Sequence, residues 1–280
     1  MIESWGCVIL AALLAALPVM AQVRVDERIP TPLTENGKPV SMEVVTYKPR
    51  GEGPFPALLF LHGSTGRGDN PSYFRRTYIE DSIVREFTAR GWMVVFPQRR
   101  GRGRSDGLYD EGFEADRSRY SCQPALSLAG LDHALQDTGY ATDWLLARPD
   151  VDAKRLLLGG QSRGGILAMA FAGQRKAVFG GVINFVGGWM SDRCPNPKAI
   201  NTVTFEAAAN SGIPSIWLYG RNDPFYALAH SKSNFDAFTT AGGRGTFYEI
   251  DPVAVPTGHQ IVSNAALWNE PVWAFVEKKP

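Results

Sequence analysis

Apolar residues along this chain gather into short, continuous runs separated by stretches of helical periodicity. The runs are SMEVVTY (Ser41–Tyr47), PALLFL (Pro56–Leu61), WMVVFP (Trp92–Pro97), RLLLGG (Arg155–Gly160), GVINFV (Gly181–Val186), PSIWLYG (Pro214–Gly220) and TFYEI (Thr246–Ile250). Several lack the alternation of a half-solvated strand, as expected of strands covered on both faces. Between them, Ser72–Arg90, Tyr140–Ala147, Ile166–Phe171, Ala227–Phe238 and Ile261–Val276 carry apolar residues at helical spacing. Strand and helix in alternation predict an α/β fold: a mostly parallel central sheet with helices on both faces. Ahead of the first run lies a polar, proline-bearing lead-in. No repeat or low-complexity linker divides the chain, so residues 22–280 are expected to form one domain.

Two connections are longer than the sheet needs. The segment from Arg99 to about Gly139 and the loop GGWMSDRCPNP (Gly187–Pro197) both follow predicted strands. Long excursions in compact domains are usually lids or binding loops. The RRGRGR opening of the first does not read as a nucleic-acid arm. Acidic residues follow at once, and 29 Lys plus Arg against 28 Asp plus Glu leave no field to hold a polyanion. A small-molecule partner is expected instead.

The N-terminal MIESWGCVILAALLAALPVMA has an apolar run from Cys7 to Leu17 and small residues near Ala21, the pattern of a signal peptide cleaved before Gln22. The n-region is atypical, with Glu3 and no Lys or Arg. The run falls short of the roughly 20 apolar residues of a membrane span, so residues 1–21 predict an exported protein with no membrane partner after cleavage. Export would leave two cysteines, Cys122 and Cys194, where oxidation is permitted. A disulfide between them and a pair of free thiols both remain open. No Cys/His spacing resembles a metal site.

Candidate chemistry centres on Gly160-Gln161-Ser162-Arg163-Gly164, a G-x-S-x-G pattern. Three leucines lead in as a strand and GGILAMAFAG leads out as an apolar helix. Ser162 therefore sits on a strand-to-helix turn that lifts its Oγ from the sheet edge, and the Arg163 N–H can face a developing oxyanion. A serine hydroxyl needs a base. Of His62, His133, His230 and His259, the last lies in VPTGHQIV, a loop after the final strand, while His230 falls within a predicted helix. The base in turn needs a carboxylate. Asp223, in LYGRNDPF directly after a strand, serves best; it also reads as a helix cap before Pro224, and Asp192 and Asp251 are weaker substitutes.

The order Ser162, Asp223, His259 resembles that of the α/β-hydrolases, and LFLHGSTG (Leu59–Gly66) resembles the family's His-Gly oxyanion loop. That resemblance implies the Ser64 N–H as second oxyanion donor beside that of Arg163, with His62 bracing the loop. Within the superfamily, RRGRGRSDG and PDVDAKRLLLGGQSRGG are similar to the dienelactone-hydrolase-like and prolyl-oligopeptidase-like branch. Two departures matter. Dienelactone hydrolases proper carry cysteine where this chain has Ser162, and prolyl oligopeptidases carry a large propeller for which there is no room. The resemblance thus implies a serine esterase needing no cofactor or metal, with a peptidase or acyltransferase as the alternative and a non-catalytic binding protein as a third. The two long connections are expected to wall the pocket with Tyr109, Phe113, Tyr120, Trp189 and Met190, stapled by Cys122–Cys194 if those cysteines are joined.

Overall fold

The computed structural model describes residues 22–278; the predicted signal segment 1–21 and the last two positions lie outside the described residues. The chain opens with an antiparallel hairpin of β1 (Gln22–Glu35) and β2 (Lys38–Pro49). Its turn is Asn36-Gly37, both with positive φ, the pair that a two-residue hairpin turn selects. There follow β3 (Phe55–Leu61), α1 (Asp81–Thr88), β4 (Met93–Pro97), α2 (Pro124–Leu146), β5 (Val151–Gln161), α3 (Arg163–Gln174) and β6 (Gly181–Phe185). The chain continues through α4 (Asn201–Ala209), β7 (Ser215–Gly220), α5 (Leu228–Thr240), β8 (Gly245–Ile250) and α6 (Asn269–Glu277).

All eight strands join one sheet in the order β1-β2-β4-β3-β5-β6-β7-β8. Only the two pairings made by β2 are antiparallel; every neighbour from β4 to β8 runs parallel. Every residue of β4, β6 and β7 is buried, as are residues 56–61 of β3. The continuous apolar runs are thus the sheet interior, covered on both sides. One layer is the series α2, α3, α4 and α5, each packed on the next. The other holds α1 and α6, where the rings of Phe87 and Trp273 lie 4.8 Å apart.

Four expectations need correction. The polar lead-in is β1, an edge strand in which only Ile29 is buried, so no apolar run marks it. The excursion after Arg99 ends at Gln123, because α2 takes up the rest. Its end matches the helical spacing of Tyr140–Ala147, while residues 124–139 show no clear period because the buried face there includes Ser127, Gly130, Asp137 and Thr138 as well as Leu131, Ala134 and Leu135. Of Ser72–Arg90 only α1 is α-helical, after a 3-10 turn at Pro71–Tyr73, and Ile261–Val276 divides into 3-10 turns and α6. Helix α4 forms where the sequence shows no helical period, its buried face including Asn201 and Thr204 beside Phe205.

The parallel strands end at Leu61, Gln161 and Gly220 on one edge of the sheet. Loops leaving that edge face a common crevice, the usual ligand position in open parallel sheets.

Candidate active site

Ser162 joins β5 to α3 with φ 58° and ψ −123°, a conformation that a residue with a side chain adopts only when its surroundings enforce it. The enforcement is steric and hydrogen-bonded. The Ser162 N–H donates to Phe185 O at 2.9 Å. A Cβ on Gly160 would meet the Gly164 backbone, and one on Gly164 would meet the Leu61 carbonyl, so neighbouring strand and helix close in only around glycine.

After β7, Asn222 takes φ 59° and turns the chain so that Asp223 folds back over the sheet edge. Its Oδ1 accepts the N–H groups of Phe225 (2.8 Å) and Tyr226 (3.1 Å), and its Oδ2 lies 2.8 Å from His259 Nδ1. Asp223 therefore caps a turn and not a helix, since α5 begins only at Leu228. His259 sits in a 3-10 turn, Gly258–Ser263, whose carbonyl at His259 accepts from Gln161 Nε2 at 3.0 Å. With Nδ1 donating to a carboxylate, Nε2 is the nitrogen free to accept a proton.

Ser162 and His259 line one pocket of about 730 Å³ together with Ser64, Tyr120, Trp189 and Phe225. Among the described residues, neither the Ser64 N–H nor the Arg163 N–H donates to another protein group. His62 lies behind the oxyanion loop and is fully buried. Its Nδ1 is 2.8 Å from Gly63 O and must be the protonated nitrogen, because a carbonyl only accepts; its Nε2 then accepts the Arg99 N–H at 3.2 Å. Burial, with the Arg99 and Arg102 guanidinia close by, holds His62 well below the usual imidazole range.

The other histidines stand apart from this pocket. Asn201 and Asn234 donate to His230 Nε2 at 3.0 and 3.1 Å, and His133 is exposed on α2. Asp192 accepts the Ala227 N–H and Asp251 pairs with Arg221, so neither reaches His259. Cys122 and Cys194 are joined across 72 residues of sequence, and both line the pocket.

Of the five aromatic and apolar residues expected in the wall, Tyr120, Trp189 and Met190 line it. Tyr109 and Phe113 do not; they stand behind Tyr120, Phe113 stacked on its ring at 4.3 Å and the Tyr109 hydroxyl 3.0 Å from its own. Tyr226 belongs to no motif of the sequence. It is buried, lines the pocket and donates its hydroxyl to Gly188 O at 2.6 Å. Burial pushes its phenol up, against the opposing pull of Arg163 and the Ser162 hydroxyl. Its position three residues after Asp223, on the same turn, was the available signal.

The model of a protein family described as X-Pro dipeptidyl-peptidase (S15 family) matches residues 36–189, more than half of the chain. No curated protein matches the chain in sequence. Among solved structures it is similar to an acetyl xylan esterase from Paenibacillus sp. R4, with 15% identity, a TM-score of 0.61, and 92% of this chain and 89% of that one covered. It is similar to a proposed dienelactone hydrolase from Klebsiella pneumoniae subsp. pneumoniae MGH 78578, at 18% identity and TM-score 0.59, covering 92% and 99%. An acylaminoacyl peptidase from Pyrococcus horikoshii gives 16% and 0.59, covering 91% of this chain but 42% of that one. These likenesses establish the α/β-hydrolase fold.

Proposed function

This chain belongs to the X-Pro dipeptidyl-peptidase (S15) family, and from that premise we propose that it hydrolyses a carboxylic ester through an acyl-enzyme on Ser162. In this reading His259 Nε2 takes the Ser162 proton as Oγ attacks the ester carbonyl. Asp223 holds the imidazole by Nδ1 and stabilises the imidazolium that forms. The N–H groups of Ser64 and Arg163 receive the oxyanion. His259 then gives its proton to the leaving alcohol, and water activated by the same imidazole releases the acid.

The observation that carries this reading is the 2.8 Å contact of His259 Nδ1 with Asp223 Oδ2, on the pocket into which the strained Ser162 turn opens. The choice of ester over X-Pro peptide rests on charge. A dipeptidyl-peptidase must bind the protonated amino terminus of its substrate, for which carboxylates are the natural partners. Among the described residues the pocket is lined by no Asp or Glu and by the exposed Arg119 and Arg193, a field that repels an ammonium group. That the Paenibacillus relative is an acetyl xylan esterase adds support for ester chemistry.

Export belongs to the same proposal. Residues 1–21 read as a signal peptide, and the Cys122–Cys194 bond suits an oxidising compartment.

The test is a fluorophosphonate probe with peptide mapping, beside p-nitrophenyl acetate turnover by wild type and Ser162→Ala. Label on Ser162 and turnover lost in the variant is the expected result. Folded wild type with neither label nor turnover would overturn the reading, and cleavage of X-Pro peptides in preference to esters would move it to the peptidase alternative.

A further inference from the structure

Resting on the reading of Ser162 as nucleophile, we infer that Glu111, a buried residue of the excursion after β4, sets the spacing between the two oxyanion donors. It is a positioning residue that touches no substrate. The two donors come from different elements, the β3 exit loop and the start of α3, each three residues beyond the last β3–β5 pair, Leu61 with Gly160. Glu111 is joined to both through two arginines.

On the loop side, Arg99 Nε lies 2.5 Å from Glu111 Oε1, and both side chains are 2–3% exposed. The same guanidinium donates to His62 O at 2.9 Å and to Gly63 O at 3.4 Å. His62 Nδ1 donates to Gly63 O as well. In a trans peptide the C=O and the N–H point in opposite directions. Donors that pin Gly63 O from behind therefore turn the Ser64 N–H the other way, into the pocket.

On the helix side, the guanidinium of Arg163 donates to Glu111 O at 2.6 Å and to Trp189 O at 3.0 Å, and lies 3.7 Å from Glu111 Oε2. Its central carbon sits over the Tyr120 ring at 3.5 Å and the Trp189 ring at 4.5 Å. The residue whose N–H is the second donor is thus held by its own side chain. Tyr120 extends the same frame, since its hydroxyl accepts the Thr65 N–H at 3.1 Å, just beyond Ser64. Glu111 Oε2 has no hydrogen-bond partner although it is buried. One carboxylate thus reaches both guanidinia, Oε1 facing Arg99 and Oε2 facing Arg163.

The experiment compares wild type, Glu111→Gln and Glu111→Asp in p-nitrophenyl acetate turnover and in inhibition by an aryl trifluoromethyl ketone. In the adduct Ser162 Oγ bonds to the ketone carbon, the C=O π pair becomes an alkoxide, and the serine proton passes to His259. Inhibition therefore reads the oxyanion site directly. Glu111→Gln is expected to lower kcat by about ten- to a hundredfold with KM unchanged, and to raise the ketone Ki by the same factor. Glu111→Asp keeps the charge one methylene shorter and is expected to show a smaller, still parallel, loss; it decides the matter if the Gln variant does not fold. A fall in kcat with Ki unchanged, a change in KM alone, or wild-type values in folded Glu111→Asp would overturn the inference. Those outcomes leave Ser162 labelling intact, whereas a wild type that neither labels nor turns over removes the underlying reading and the inference with it.

Discussion

Asp223 holds His259 Nδ1 with one carboxylate oxygen and the Phe225 and Tyr226 N–H groups with the other. One side chain thereby fixes both the imidazole and the turn that carries Tyr226 into the pocket. Asp223→Asn offers His259 an amide that can present its NH₂ to Nδ1 and so reverse the tautomer. We expect kcat to fall by about 10³- to 10⁴-fold with the fold retained, checked by ester turnover beside circular dichroism.

Replacing Ser162 by glycine should raise stability while it removes turnover. A positive φ of 58° strains serine but not glycine, and relieving such strain is worth about 1 kcal/mol or more. Urea unfolding of Ser162→Gly against Ser162→Ala checks this: the glycine variant is expected to be the more stable, and equal midpoints would contradict a strained turn.

The Cys122–Cys194 bond closes a loop 72 residues long between two walls of the pocket. Chain entropy alone predicts a loss of up to about 4 kcal/mol when it is broken. Cys122→Ser with Cys194→Ser is expected to lower the Tm and to raise KM more than it lowers kcat, because the walls move and the Ser162 turn does not. An unchanged KM would place the bond outside substrate binding.

His62 makes stability fall towards acid pH. Its folded-state pKa is depressed by burial, so below the ordinary imidazole value of about 6.5 the unfolded chain binds a proton that the folded chain refuses. Its stabilising contribution is present in full above that pH and is lost as the pH falls through the window below it. Denaturant midpoints between pH 7.5 and 5 should slope downward in wild type. In His62→Asn, which no longer titrates there, the slope should flatten, at a constant cost of about 1–3 kcal/mol for the disturbed hydrogen bonds.

Much of this was legible in the order of residues. The buried stretches of β3 to β7 announce themselves because a strand covered on both faces is apolar at nearly every position, with Asn184 and Ser215 as buried polar exceptions. The Ser162 turn is legible because its glycines, its leucines and its apolar helix lie next to one another in sequence. The edge strand β1 was not, because the half-buried face it turns inward mixes polar Glu27, Thr31 and Glu35 with Val25, Ile29 and Leu33, and only the Asn36-Gly37 pair betrays the hairpin. Of helix α2 only the end, Tyr140 onward, was legible; residues 124–139 were hidden because they bury Asp137, whose carboxylate binds Arg100 at 2.7 Å, on the face where a hydrophobic period would be sought.

The sequence by itself determined the parallel α/β architecture and the residues that carry candidate chemistry, because burial and tight turns impose local patterns on neighbouring positions. Only the tertiary structure decided that Glu111 stands between Arg99 and Arg163, that Tyr226 enters the pocket, and that Tyr109 and Phe113 stand behind its wall. Those rest on contacts between residues up to 52 positions apart. They depend on how loops pack once the sheet has formed, and a buried ion pair leaves no periodic trace along the chain.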